Sequence, residues 1–201
     1  INFSFCQKRD TEWAKADYEV ATEQFKLSSS EKPIFVPEKG NINLNETADA
    51  LVVKGERFEA VFSKKEGTLS AYTLNNVPLM SKGLELNLFR APTDNDKQVS
   101  GDWQRKGLYQ LQTETGKWET RQEEDRITLH IRNCHKGKLG FEYRTEMEYT
   151  VNADGSIMVN SVIMPVSDGE IIPRVGYRME LPEGFERMRW YGRGPWENYT
   201  D

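Results

Sequence analysis

The feature that most constrains this chain is an alternation running from Phe141 to Val151. Phe141, Tyr143, Thr145, Met147, Tyr149 and Val151 fall at every second position, and Glu142, Arg144, Glu146, Glu148 and Thr150 fill the gaps. A helix turns about 100° per residue and would scatter these two sets around its circumference. A strand, with its period of two, puts one set on a buried face and the other in water. Ile127, Leu129 and Ile131 repeat the pattern against Thr128, His130 and Arg132, and so do Val175, Tyr177, Met179 and Leu181 against Gly176, Arg178 and Glu180.

Further strands are expected at Tyr18–Leu27, Ala50–Lys54, Arg57–Ser63, Leu69–Leu74, Leu84–Phe89, Gly116–Arg121 and Arg187–Tyr191. Lys54-Gly55, Glu66-Gly67, Asn75-Asn76 and Ala153-Asp154-Gly155 supply the turns between them, because these residues tolerate the left-handed backbone of tight hairpins. One short helix is expected over Gly101–Gly107, capped by Asp102 and ended by Gly107. Strands at this density with a single helical turn predict an all-β sandwich. The pattern breaks at Ser28–Pro37, a polar stretch bracketed by Pro33 and Pro37, which reads as a domain crossing. Residues 1–33 are too few to make a core and read as the closing strands of a preceding domain. Residues 34–201 read as one large domain.

Composition removes several classes of function. Hydrophobic residues make up 37% of the chain and aromatics 11%, enough to build a core. The net charge of -5 disfavours nucleic acid as a partner, since an acidic chain gains nothing from counterion release at phosphates. No apolar run approaches the roughly 20 residues that span a bilayer, so no membrane partner is expected. No basic and apolar leader follows Ile1, and the reading leaves cytoplasm and periplasm both open. Cys6 and Cys134 are far apart and are expected to be free thiols.

The chemistry-bearing side chains form few recognisable sets. His130, Cys134 and His135 are close in sequence but fall short of the four paired ligands of a zinc site, and the bland reading is a solvated strand. No nucleophile elbow and no glycine-rich phosphate loop is present, so no cofactor is expected. Asp94, Asp96, Glu197 and Asp201 lie in loop-like segments, yet no spacing brings two of them together as a glycosidase acid and its partner.

Two segments stand out. Leu88–Asp96 reads LFRAPTDND and Trp190–Asp201 reads WYGRGPWENYTD. Each concentrates Arg, Pro, Asn and acids after a strand. In one reading Arg90 or Arg193 forks onto Asp94, Asp96 or Glu197 and locks the loop. In the other, Arg90, Asp94, Asn95, Asp96, Trp103, Arg193, Trp196, Glu197, Asn198 and Tyr199 form a carbohydrate-binding or interdomain surface, with the aromatic rings as its apolar part. An ion at the Asp94–Asp96 loop would need more oxygen ligands than these residues supply.

These segments also carry a resemblance. Arg90–Asp96 resembles the R-A-P-x-D-N-D motif of the C-terminal small-chain domain of family 2 β-galactosidases, and Gly192, Gly194, Pro195, Glu197, Asn198, Tyr199 and Asp201 resemble its G-x-G-P-x-E-N-Y-x-D motif. Pro173-Arg174-Val175-Gly176 resembles the P-R-x-G strand between them, and Trp103 with Gly107-Leu108 resembles a W-x-x-x-G-L segment. Glu19, Val20, Ala21 and Gln24 are similar to the closing strand of the immunoglobulin-like domain that precedes it.

The resemblance implies an all-β fold: a large antiparallel β-supersandwich of the galactose mutarotase-like kind, incomplete at its C-terminal end, preceded by immunoglobulin-like strands. It places the family's catalytic glutamates, and the divalent cation of the parent enzyme, in a separate (β/α) barrel, so none of the carboxylates here inherits a catalytic role. It implies a non-catalytic accessory domain that packs on that barrel and other domains of the parent and helps shape the substrate entrance. It further admits galactoside and a second copy of the chain as partners. The alternative is a stand-alone carbohydrate-binding module with Trp103 or Trp196 as stacking platform. An epimerase-like use of His130 or His135 is disfavoured because both lie outside the loop motifs.

Overall fold

The computed structural model describes residues 1–25, 36–166, 169 and 171–189. The chain divides into two compact units, Ile1–Val36 and Pro37–Asp201. The boundary expected at residue 33 lies outside the described residues.

In the first unit β1 (Asn2–Cys6) pairs antiparallel with β2 (Glu19–Gln24), Asn2 opposite Gln24. The connection is closed by Gln7 N–H donating to the Tyr18 carbonyl at 2.9 Å, with Asp17 in the left-handed region at φ 67°. Phe3 packs edge-on to Phe25 and Trp13 edge-on to Tyr18. Every residue of both strands is exposed. A lone strand pair with both faces in water is marginally stable.

The second unit is built from antiparallel strands. A five-stranded sheet runs in sequence order through β3 (Asn43–Glu46), β4 (Ala50–Lys54), β5 (Phe58–Ser63), β6 (Thr68–Leu74) and β7 (Val77–Pro78). A four-stranded sheet runs through β9 (Gln112–Gln122), β10 (Arg126–Lys136), β11 (Glu142–Asn152) and β12 (Ile157–Pro165). A third, two-stranded piece pairs β8 (Lys82–Asn87) with β13 (Gly176–Glu180). The single α-helix among the described residues, α1, spans Ser100–Arg105 and follows a 3-10 turn at Asp94–Asp96.

The two larger sheets face each other across one core, which makes the unit a β-sandwich. Val53, Phe58, Ala60 and Phe62 from one sheet meet Ile127, Leu129, Ile131, Tyr149 and Val151 from the other. Phe62 and Tyr149 are fully enclosed and meet edge-on at 5.0 Å, and the Tyr149 hydroxyl is paired with Thr68 Oγ1 at 3.0 Å. The Phe141–Val151 alternation emerges as read: all six residues of its apolar set are buried. Asn75 and Asn76 take φ of 50° and 64°, the left-handed pair that a tight hairpin between β6 and β7 requires.

Some expectations need correction. Arg187–Arg189 form no strand, and Trp190 and Tyr191 lie outside the described residues. Between two arginines, Met188 alone supplies no apolar face to bury. The helix starts at Ser100 behind Val99, and Asp102 sits within its first turn. There Asp102 binds Arg105 at 2.9 Å and Lys106 at 2.7 Å, so it does not cap. Gly107 ends the helix as expected, at φ 69°. Strands β1, β3, β7 and β12 were not foreseen. β12 escapes a search for alternation because it carries apolar residues on both faces: Ile157, Val159 and Ile163 on the side shared with the buried set of β11, Met158, Val162 and Met164 on the other.

Candidate functional site

The first motif loop begins at Leu88, which is fully buried and fixes where the chain leaves β8. Two residues on, Arg90 forks onto Asp96: Nη1 donates to Oδ2 at 2.6 Å and Nη2 to Oδ1 at 3.1 Å. Oδ2 also accepts from Thr93, from its N–H at 2.7 Å and its Oγ1 at 2.9 Å. These donors stabilise the carboxylate form, and the Arg90 bonds above all hold the Asp96 acid down at about 2. The carboxylate is therefore ionised and spoken for across the physiological range, which suits a brace and disqualifies it as a proton donor at neutral pH.

The brace extends into the helix. The Arg90 guanidinium carbon lies 5.8 Å from the centre of the Trp103 ring. Trp103 is 2% exposed, packs in a small core with Leu88, Leu108, Phe141 and Tyr143, and donates its indole N–H to the Ile171 carbonyl at 2.9 Å. A ring so enclosed offers no face on which a sugar could stack. At the tip of the loop Asn95 and Asp94 are exposed, and Asp94 is engaged by Lys97 at 3.1 Å. The sequence-selected set thus divides into a brace of half-buried Arg90 with buried Asp96 and Trp103 and a solvent-facing tip of Asp94 and Asn95. Arg193, Trp196, Glu197, Asn198 and Tyr199 lie outside the described residues.

The histidines separate by the same alternation that builds the sheet. His130 and Cys134 point away from the core, where His130 Nε2 meets Glu148 at 3.2 Å. His135 continues the inward set of β10 and is buried, so the solvated-strand reading fails for it. Its Nδ1 is 3.0 Å from Thr113 Oγ1 and its Nε2 2.9 Å from Thr145 Oγ1. Burial pushes the imidazole down to about 4, so it is neutral at pH 7. One register step away Asn133 faces the same way and is also buried; its Nδ2 donates to the Gly67 carbonyl at 2.8 Å. Residues 133 and 135 could have been found by extending Ile127, Leu129 and Ile131 by two more steps of two. Cys6 and Cys134 are both unbridged, and burial foremost raises the Cys134 thiol. Among the described residues no three His, Cys, Asp or Glu side chains converge on a metal position, and no helix is long and apolar enough to cross a membrane.

Among the described residues, the chain is a β-sandwich whose first polar loop motif is engaged in internal bracing. The family comparison is specific. The model described as "Beta galactosidase small chain" matches residues 54–201, and this chain belongs to that family. A second model, "Beta-galactosidase, domain 4", matches residues 1–28. Over its whole length the chain is 29% identical to a protein named beta-galactosidase from Priestia megaterium. It is 26% identical to those of Psychromonas ingrahamii and Vibrio cholerae. It spans only 19–21% of the length of these relatives.

Proposed function

We propose that this chain is a non-catalytic accessory part of a family 2 β-galactosidase, one that packs on the catalytic barrel and other domains of its parent and helps shape the substrate entrance. In this reading residues 1–33 are the closing strands of an immunoglobulin-like domain, residues 34–201 form a galactose mutarotase-like supersandwich, and the parent cleaves terminal β-D-galactosides. The observation that carries it is the state of Asp96. The one buried carboxylate of the best-defined motif is clamped by Arg90 and Thr93 and held ionised, as a structural pin is and a general acid is not. The fully exposed faces of β1 and β2 support the domain assignment, since such a pair needs further strands or a partner to be stable. The exposed Asp94–Asn95 tip suits a contact with a neighbouring domain.

Two measurements test this. The 201-residue chain is assayed with an aryl β-galactoside, and no turnover is expected. Hydrolysis that disappears when its own carboxylates are replaced would overturn the proposal. In sedimentation, the chain is expected to associate with the separately produced remainder of its parent polypeptide, and persistent separation of the two at micromolar concentration would count equally against it.

A further inference from the structure

The four-stranded sheet ends in β9 on one side and β12 on the other, and the two edges are built differently. An open edge presents a row of unpaired N–H and C=O groups, and charged side chains or a bulge normally keep other strands off it. β9 has both devices: Lys117, Glu119 and Arg121 lie along it, and its register against β10 shifts between Ile131 and Asn133. β12 reads IMVNSVIMP, carries no charge and keeps an unbroken register against β11. Among the described residues β11 is its one strand neighbour. On its outer face Met158 and Val162 are 54% and 56% exposed, in a row with Met164.

The ladder identifies the backbone groups that β11 leaves free. Val166 N–H donates to the Glu142 carbonyl at 3.1 Å. Antiparallel ladders alternate, so Met164, Val162, Asn160 and Met158 likewise turn their backbone groups to β11. Ile157, Val159, Ser161 and Ile163 therefore turn theirs to the open edge. Pro165 falls in the same set, where its missing N–H costs the β11 ladder nothing.

The strand is its own complement. Laid antiparallel on itself about Ser161, it sets Met158 against Met164, Val159 against Ile163 and Asn160 against Val162. The first two pairs are apolar on both sides, and no charge faces another. This register uses the full strand and brings the edge-facing residues of both copies opposite each other, as a ladder requires. The charged rows of β11 in the two copies stand three strand spacings apart, about 14 Å, beyond the Debye length at physiological salt.

We propose that β12 is a self-pairing edge: two copies of this chain join β12 to β12 antiparallel about a two-fold axis at Ser161, making one sheet continuous through both. A single strand pair buries less than a standard interface, so the dimer is weak and forms as concentration rises. The inference goes beyond the accessory role and does not rest on it.

The test is sedimentation of the 201-residue chain from micromolar to near-millimolar concentration, with amide hydrogen exchange at both ends of the range. A monomer–dimer equilibrium is expected. At low concentration the Val159, Ser161 and Ile163 amides should exchange fast and those of Met158, Asn160 and Val162 slowly; at high concentration both sets should be slow. Val162→Lys sets two lysines diagonally across the two-fold axis. Residue 162 is exposed and opposite Glu146 on β11, so the monomer keeps its fold, and the dimer Kd is expected to rise about tenfold. A chain that stays monomeric throughout overturns the proposal, as does a dimer whose edge-facing amides remain fast or one that Val162→Lys leaves intact. Edge amides that are slow at every concentration overturn it too, because the chain's own residues would then cover the edge. Protection that appears only when the remainder of the parent polypeptide is added overturns it in favour of that remainder.

Discussion

Lowering the pH from 7 to 5 should destabilise this chain through one residue, His135. Its imidazole is enclosed on the inner face of β10, and burial holds its folded-state pKa at about 4 against an ordinary value of 6.5. Between those values the unfolded chain takes up a proton that the folded chain refuses, so stability rises with pH through this window. The contribution is complete above the unfolded value, is lost as pH falls, and levels off below the folded one. Full loss amounts to roughly 3 kcal/mol, of which about 2 kcal/mol falls between pH 7 and pH 5. The choice of pH 5 separates this effect from the carboxylates. Asp96, held by Arg90 at about 2, loses its stabilising effect only as pH falls below its ordinary value of 3.8. Urea denaturation at pH 7 and pH 5 should show the loss in the native sequence and much less of it in His135→Gln, which does not titrate. The chain has only two histidines, so an NMR titration can follow the His135 ring directly, assigned by its absence in the variant. Equal losses in both proteins, or a His135 ring that protonates near its ordinary value, would refute the reasoning.

Three further substitutions probe the architecture. Phe62→Ala empties a fully enclosed position against Tyr149 and is expected to cost about 3–5 kcal/mol in denaturant unfolding. Gly83→Ala would drive a Cβ into the Leu69 carbonyl and the Ser70 backbone, where neither can yield, and should cost about 1–3 kcal/mol, read as a lowered Tm. Asp96→Asn removes the charge on which Arg90 and Thr93 converge, and limited trypsin digestion should then cleave faster after Lys97 while cleavage after Lys65 is unchanged.

Much of this organisation was legible in the residues, for a reason that also marks where legibility ends. Alternation reports a strand only when its two faces meet different surroundings. β10 and β11 have one dry face and one wet face, and their side chains sort as the pattern predicts. β12 is apolar on both faces and shows no alternation, although its register against β11 is regular from Val151↔Ile157 to Tyr143↔Pro165. β1 and β2 are wet on both faces, and β1 left no mark at all. The LFRAPTDND loop was legible as chemically unusual, because Arg, Thr and two Asp within nine residues have more hydrogen-bonding capacity than a loop needs. What composition could not decide was the direction of the bonds. Arg90 could have reached Asp94 or Asp96, and only the 3-10 turn, which carries Asp94 outward and Asp96 inward, makes the choice.

The polar residues on the inner face follow from the same geometry. On β10 the inward positions run Ile127, Leu129, Ile131, Asn133, His135, so the dry surface turns polar within one strand. A core serving stability alone would continue with apolar side chains, because a buried amide or imidazole costs free energy wherever its bonds are incomplete. His135 meets that cost with Thr113 and Thr145, one on each neighbouring strand. Asn133 meets only half of it, through Nδ2. Its neighbour across the sheet, Thr145, is 1% exposed and already engaged with His135, so the unmet acceptor cannot be relieved by a rotamer change on that side. On the other side Gly67 packs directly against the amide, where a Cβ would fall 2.2 Å from Oδ1. The oxygen is therefore a buried, unpaired acceptor enclosed between strands, a cost the sheet carries at the point where its dry face turns polar.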